Sequence, residues 1–99
     1  MPISVVLRKE NREEISRSSH IYSPPEESRD EVRYPLLNGI DPHSDTIFNT
    51  WQMHFLLKEV EQLMQGSLGD EERASLEAVA QMCREGQRRV HWFLWFVGD

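Results

Sequence analysis

Hydrophobic positions along this chain follow three different spacings, and each spacing predicts a different element. Near the N-terminal end Ile3, Val5 and Leu7 alternate with Ser4, Val6 and Arg8, the period-2 pattern of a strand with one strongly buried face. Further along, Met53, Leu56, Leu57, Val60, Leu63 and Met64 recur every third or fourth residue, while Lys58, Glu59, Glu61, Gln62 and Gln65 fill the opposite side. That is the apolar face of an amphipathic helix, with Gly66 at the C′ position that stops it. A second helix is predicted to start at Ser67 or Asp70, with Glu71 and Glu72 in its first turn, where negative charge meets the positive end of the macrodipole. Its buried stripe is Leu76, Val79, Ala80 and Cys83, and Gly86 ends it. The short connection between Gly66 and Asp70 makes the two helices antiparallel neighbours.

The third spacing is an unbroken apolar run from Val90 to Val97. It is too short for a membrane span and rich in aromatic residues, so it predicts a central strand with both faces buried. Val90, Trp92, Leu94 and Phe96 are expected on one face, and His91, Phe93, Trp95 and Val97 on the other. In a two-layer protein only one of these faces meets the helices. The second face must be covered by the Tyr34–Leu37 region, by the polar insertion folding back, or by another chain. Each large apolar side chain left in water forgoes about 1.5–3 kcal/mol, and contiguous exposed aromatic patches mark interaction surfaces. Trp92, Phe93 and Trp95 are therefore candidate partner-binding residues. Trp51 and His54, on the helix side away from the buried stripe, join them.

Residues 9–33 are polar and contain Ser23-Pro24-Pro25-Glu26-Glu27, which fits neither a helix interior nor a central strand. A loop or exposed hairpin is expected, with weak strands around Glu14–Arg17 and His20–Tyr22. Tyr34-Pro35-Leu36-Leu37 returns the chain to the core. Asn38-Gly39 and Asp41-Pro42 supply turn chemistry, and Thr46 or Asn49 caps the first long helix. The predicted fold is a single α+β domain: a small sheet containing the N- and C-terminal strands, packed on an antiparallel helical hairpin.

Charge narrows the function. A formal net charge of −6 argues against non-specific nucleic-acid binding, which depends on Lys and Arg neutralising phosphates. The densest basic group, Arg84, Arg88 and Arg89, gathers at a helix C-terminus, where cations complement the dipole. Cys83 is the only cysteine, so no intramolecular disulfide forms and a cytoplasmic setting is expected. No secretory leader or membrane-spanning run is apparent in the sequence, and no cofactor is expected.

Two arrangements invite chemistry. Asp41, His43 and Asp45 alternate in one loop and offer oxygen and nitrogen donors to a divalent ion, although the same residues suit turns and caps. A Cys83–His91 nucleophile pair is disfavoured, because Cys83 falls on the apolar stripe where burial makes a thiol inert. From Tyr34 onward, Pro35-Leu36-Leu37, Asp41-Pro42-x-x-Asp45-Thr46-x-Phe48-Asn49, the amphipathic helix and Trp95-Phe96-Val97-Gly98-Asp99 resemble a set of small uncharacterised bacterial proteins. That set favours an aromatic residue and a glycine where this chain has His43-Ser44. The resemblance implies a compact fold and no particular activity. The expected function is a small acidic protein-binding module of the immunity, inhibitor or adaptor kind, its partner another protein or a second copy of the chain. The alternative is a metal-dependent or otherwise catalytic protein centred on Asp41, His43 and Asp45.

Overall fold

The computed structural model describes residues 2–98; Asp99, which closes the Trp95–Asp99 run, lies outside the described residues. Four strands, β1 (Ser4–Lys9), β2 (Glu14–Arg17), β3 (Asp45–Phe48) and β4 (Trp92–Val97), form one antiparallel sheet in the order β2-β1-β4-β3. Three helices accompany it, the single-turn α1 (Pro35–Asn38), then α2 (Thr50–Met64) and α3 (Asp70–Gly86). The fold is thus the expected α+β arrangement, with β1 and β4 as sheet neighbours and α2 and α3 packed on one face.

Antiparallel register decides which side chains reach the helices. Val5 lies opposite Phe96, and Leu7 opposite Leu94; on the other side of β4, Phe48 lies opposite Leu94. These residues are buried, and they join Met53, Leu56, Val60 and Leu63 of α2 and Leu76, Val79, Ala80 and Cys83 of α3 in one core. The helical stripes are those the sequence predicts. The two helices run antiparallel: Gly86 sits against Met53, while at the other end the Arg73 guanidinium donates to Met64 O at 3.1 Å and Gly66 O at 3.2 Å. Those carbonyls belong to the α2 C-terminus, so a cation meets the negative end of the dipole.

The polar insertion is more than a surface loop. It forms β2 and a 3₁₀ turn at Glu26–Arg29, and Tyr22 bridges to Ile3. The Tyr22 ring then meets Phe96 edge-on, with centroids 5.3 Å apart, while Phe48 meets the same ring at 5.7 Å. One aromatic residue from a charged segment completes the core around the central strand.

Several expectations need correction. Asp45–Phe48 is a strand, not part of the turn, so Thr46 is no cap and Asn49 alone caps α2. Val90 is not on the strand; β4 begins at Trp92, and Val90 is 77% exposed in the preceding turn with His91. The polar insertion reaches the second face of β4 through Arg12, 5.8 Å from the Trp95 ring, but Tyr34–Leu37 and Tyr22 do not cover it. Both pack on the helix side, because α1 sits against α2 and Tyr22 against Phe96.

Candidate functional site

Four of the five candidate partner-binding residues divide between two separate surfaces, and Trp92 belongs to neither. The first is built on the solvent side of α2. Asn49 Oδ1 accepts from Gln52 N at 2.8 Å and Gln52 Oε1 accepts from Asn49 N at 2.9 Å, a reciprocal capping box that fixes the first helical turn. One turn apart on that helix, Trp51 and Phe55 pack edge to face with centroids 4.7 Å apart. Trp51 is nonetheless 70% exposed. His54, also exposed, lies 5.1 Å from Phe55 at the margin.

Opposite this pair the chain from Val32 to Leu36 forms a second wall, and the groove between the two walls has a volume of about 490 Å³. Val32 is 86% exposed on its edge. The wall is held by a long-range clamp: the Glu59 carboxylate accepts Leu36 N at 3.1 Å and Leu37 N at 3.0 Å, so α2 caps the N-terminus of α1. Burial pushes the Glu59 carboxyl above its ordinary pKa, while the two amide bonds pull it down. Lys58, 5.4 Å above the Phe55 ring, and Arg33 mark the rim.

The second surface is the sheet face turned away from the helices. Register places Arg17, Val6, Trp95 and Ile47 on a single rung across all four strands. Phe93 and Val97 flank Trp95 on β4 and are half-buried, while Ile47 is exposed. Trp95 itself is 9% exposed. The Arg8 guanidinium lies 4.5 Å from its ring centroid, and that of Arg12 5.8 Å. Trp92 points the other way, packing against the core with Arg89 at 5.5 Å from its ring.

The Asp41–Asp45 loop is engaged in holding itself. Asp41 Oδ1 accepts from His43 N at 2.8 Å, Oδ2 accepts from Ser44 Oγ at 2.9 Å, and Asp41 N donates to Thr46 Oγ1 at 3.0 Å. The His43 amide, then the Ser44 hydroxyl, hold the Asp41 carboxyl below the usual carboxylate range. The loop is buttressed by Gly98, whose amide donates to Ser44 O at 3.0 Å, where a side chain would collide with backbone from Pro42 to Ser44. Among the described residues, no three His, Cys, Asp or Glu side chains gather at one metal-sized point. Cys83 is buried, and burial pushes its thiol up to about 12. His91 is exposed and faces Glu10 at 3.3 Å.

The sequence does not single out Phe55 and Val32, and it places Glu59 and Leu36 only on a polar helix face and in a core-directed segment, not at a site. Phe55 carried a usable signal, since it stands one turn after Trp51 and off the buried stripe. Val32 and Leu36 carried none, because their pairing with α2 spans more than one loop. Compared with known protein families, with characterised proteins and with solved structures, the chain matches none.

Proposed function

We propose that this chain is a non-enzymatic protein-binding module that docks its partner in the groove between α2 and the Val32–Leu36 segment. The observation that carries the proposal is Trp51, a tryptophan left 70% exposed on a helix whose opposite face is fully packed. Tryptophan seated in an apolar pocket is among the commonest binding hot spots. Covering Trp51 and Val32 recovers up to roughly 1.5–3 kcal/mol for each side chain, and the remaining exposed third of Phe55 adds a smaller share. The groove is also prepared for docking, because the Glu59 clamp fixes one wall and the capping box the other; less ordering entropy is then lost on binding.

The fitting occupant is a segment presenting one or two apolar anchors, with a carboxylate to meet Lys58 or Arg33. The Asp41 loop supports the catalytic alternative less well, since both oxygens of its first carboxylate already accept local hydrogen bonds.

The test compares wild type with the Trp51→Ala, Phe55→Ala double variant. Wild type retains a stoichiometric protein partner through purification, and the variant, equally folded by circular dichroism, loses it. A wild-type chain that purifies bare, or a variant that binds equally well, defeats the proposal. A doubled mass in solution that reverts in the variant identifies the partner as a second copy.

A further inference from the structure

We infer that the outer face of the sheet is a separate binding site for an acidic segment of a protein partner, whose carboxylates are held by Arg8 and Arg12 braced on Trp95. Two guanidinium groups converge on one indole, at 4.5 and 5.8 Å from its centroid. Neighbouring cations are already engaged: Lys9 pairs with Glu13 at 3.0 Å, and Arg17 with Glu14 at 2.9 Å. Arg8 and Arg12 form no such ion pair among the described residues.

A guanidinium stacked on a ring keeps its edge donors free and loses little further entropy when a carboxylate arrives. Phe93, Val97 and Ile47 give the site half-exposed apolar shoulders for the side chains between those carboxylates. The acidic groups on the same face are limited. Glu14 lies opposite Arg8 in register and feels its charge, but its hydrogen bonds go to Arg17, and Asp45 sits at the far end beside Val97. The overall charge of −6 opposes an acidic partner at long range, but that field is screened within about 8–10 Å in physiological salt, leaving the arginines to dominate at contact.

A second copy fits this face poorly. Two six-residue strands and two four-residue strands, spaced about 4.8 Å apart at about 3.3 Å per residue, cover roughly 320 Å². That is less than half of the roughly 800 Å² each partner contributes to a standard interface, and a twofold axis would bring the arginines toward their own copies. Single-stranded nucleic acid also fits poorly, because bases need a free aromatic face and Trp95 is only 9% exposed beneath Arg8.

The experiment titrates the isotope-labelled protein with a synthetic pentapeptide of alternating Glu and Leu, and with the same peptide carrying Lys in place of Glu. The expected result is saturable movement of the Arg8 and Arg12 Nε signals and the Trp95 Nε1 signal with the Glu peptide alone, weakening as salt is raised. Arg12 has φ 72°, a backbone that glycine adopts freely, so Arg12→Gly preserves the turn while removing one fork. It weakens the peptide about five- to tenfold. Arg8→Lys, which keeps the charge but not the planar stack, weakens it as well. Trp51→Ala leaves the affinity read at the Arg8, Arg12 and Trp95 signals unchanged, which separates this site from the groove. The inference is overturned by absence of saturable shifts, by equal response to the Lys peptide, or by undiminished binding in Arg12→Gly. Tighter binding of an oligothymidylate at the same signals, or a doubled mass involving them, also overturns it.

Discussion

Gly86 of α3 and Met53 of α2 meet so closely that a Cβ on the glycine would stand 2.6 Å from the methionine sulfur. The same atom would lie 2.8 Å from Leu7 Cδ1. Sheet and both helices therefore touch at one point, and the absent side chain is what allows it.

Met53 and Leu7 are fully buried, so their side-chain ends can make room only by pressing on the packed core around them. Gly86→Ala is expected to destabilise the protein by about 1–2 kcal/mol, the overpacking cost outweighing a helix-propensity gain of at most about 1 kcal/mol. Urea unfolding measures it. A midpoint equal to or above wild type contradicts the close packing.

Glu59 connects stability to pH. Its carboxyl is raised by burial, so the folded protein binds this proton more tightly than the unfolded chain does. The group's contribution is fully present below the ordinary carboxylate pKa and is lost as pH rises through the higher folded value. The stability of wild type relative to Glu59→Gln should accordingly fall across that window and level off above it. Denaturant titrations at stepped pH give the curve, and a difference that grows with pH refutes the assignment.

The Tyr22 hydroxyl is enclosed without a hydrogen bond of proper geometry. Ser28 is adjacent, and its hydroxyl donates to Pro25 O at 2.6 Å; its lone pairs could accept the Tyr22 hydroxyl, yet the two are not aligned for a hydrogen bond. Removing an unpartnered buried hydroxyl is close to neutral or favourable, so Tyr22→Phe should leave the unfolding free energy within about 0.5 kcal/mol or raise it by up to about 1 kcal/mol. Tyr22→Ala, which deletes the ring against Phe96, should cost about 3–5 kcal/mol. Parallel thermal and urea melts of the two variants check the contrast.

Cys83 lies in the core with its thiol pushed up to about 12. At pH 8 it should resist a disulfide reagent in the native protein and react in full once urea unfolds the chain. Rapid labelling of the native state would place the thiol at the surface and move the α3 stripe with it.

Much of the architecture was legible because it repeats locally. The stripes of α2 and α3 announce themselves within a few residues, as does the alternation of Ile3, Val5 and Leu7. Asp45–Phe48 was not legible as a strand, since it is short, half polar, and flanked by turn and cap residues. Tyr22 was hidden in a charged segment, and only its bridge to Ile3 brings it under Phe96. The candidate surfaces were visible as residues but not as groupings. Alternation separates Trp92 from Phe93 and Trp95 in the sequence itself, but only the structure shows that Trp92 is the one turned inward.

What the sequence determined by itself is the set of long elements and the faces of the helices, because polar and apolar residues segregate there at the element's own period. The tertiary structure decided which face of β4 meets the helices. Both faces are apolar, so periodicity is the same for either choice, and only the pairing with β1, β3 and Tyr22 distinguishes them. It also decided that Glu59 reaches across more than twenty residues to clamp Leu36 and Leu37. Such a contact depends on where a loop closes, a free energy set by the whole packed chain and carried by no local pattern.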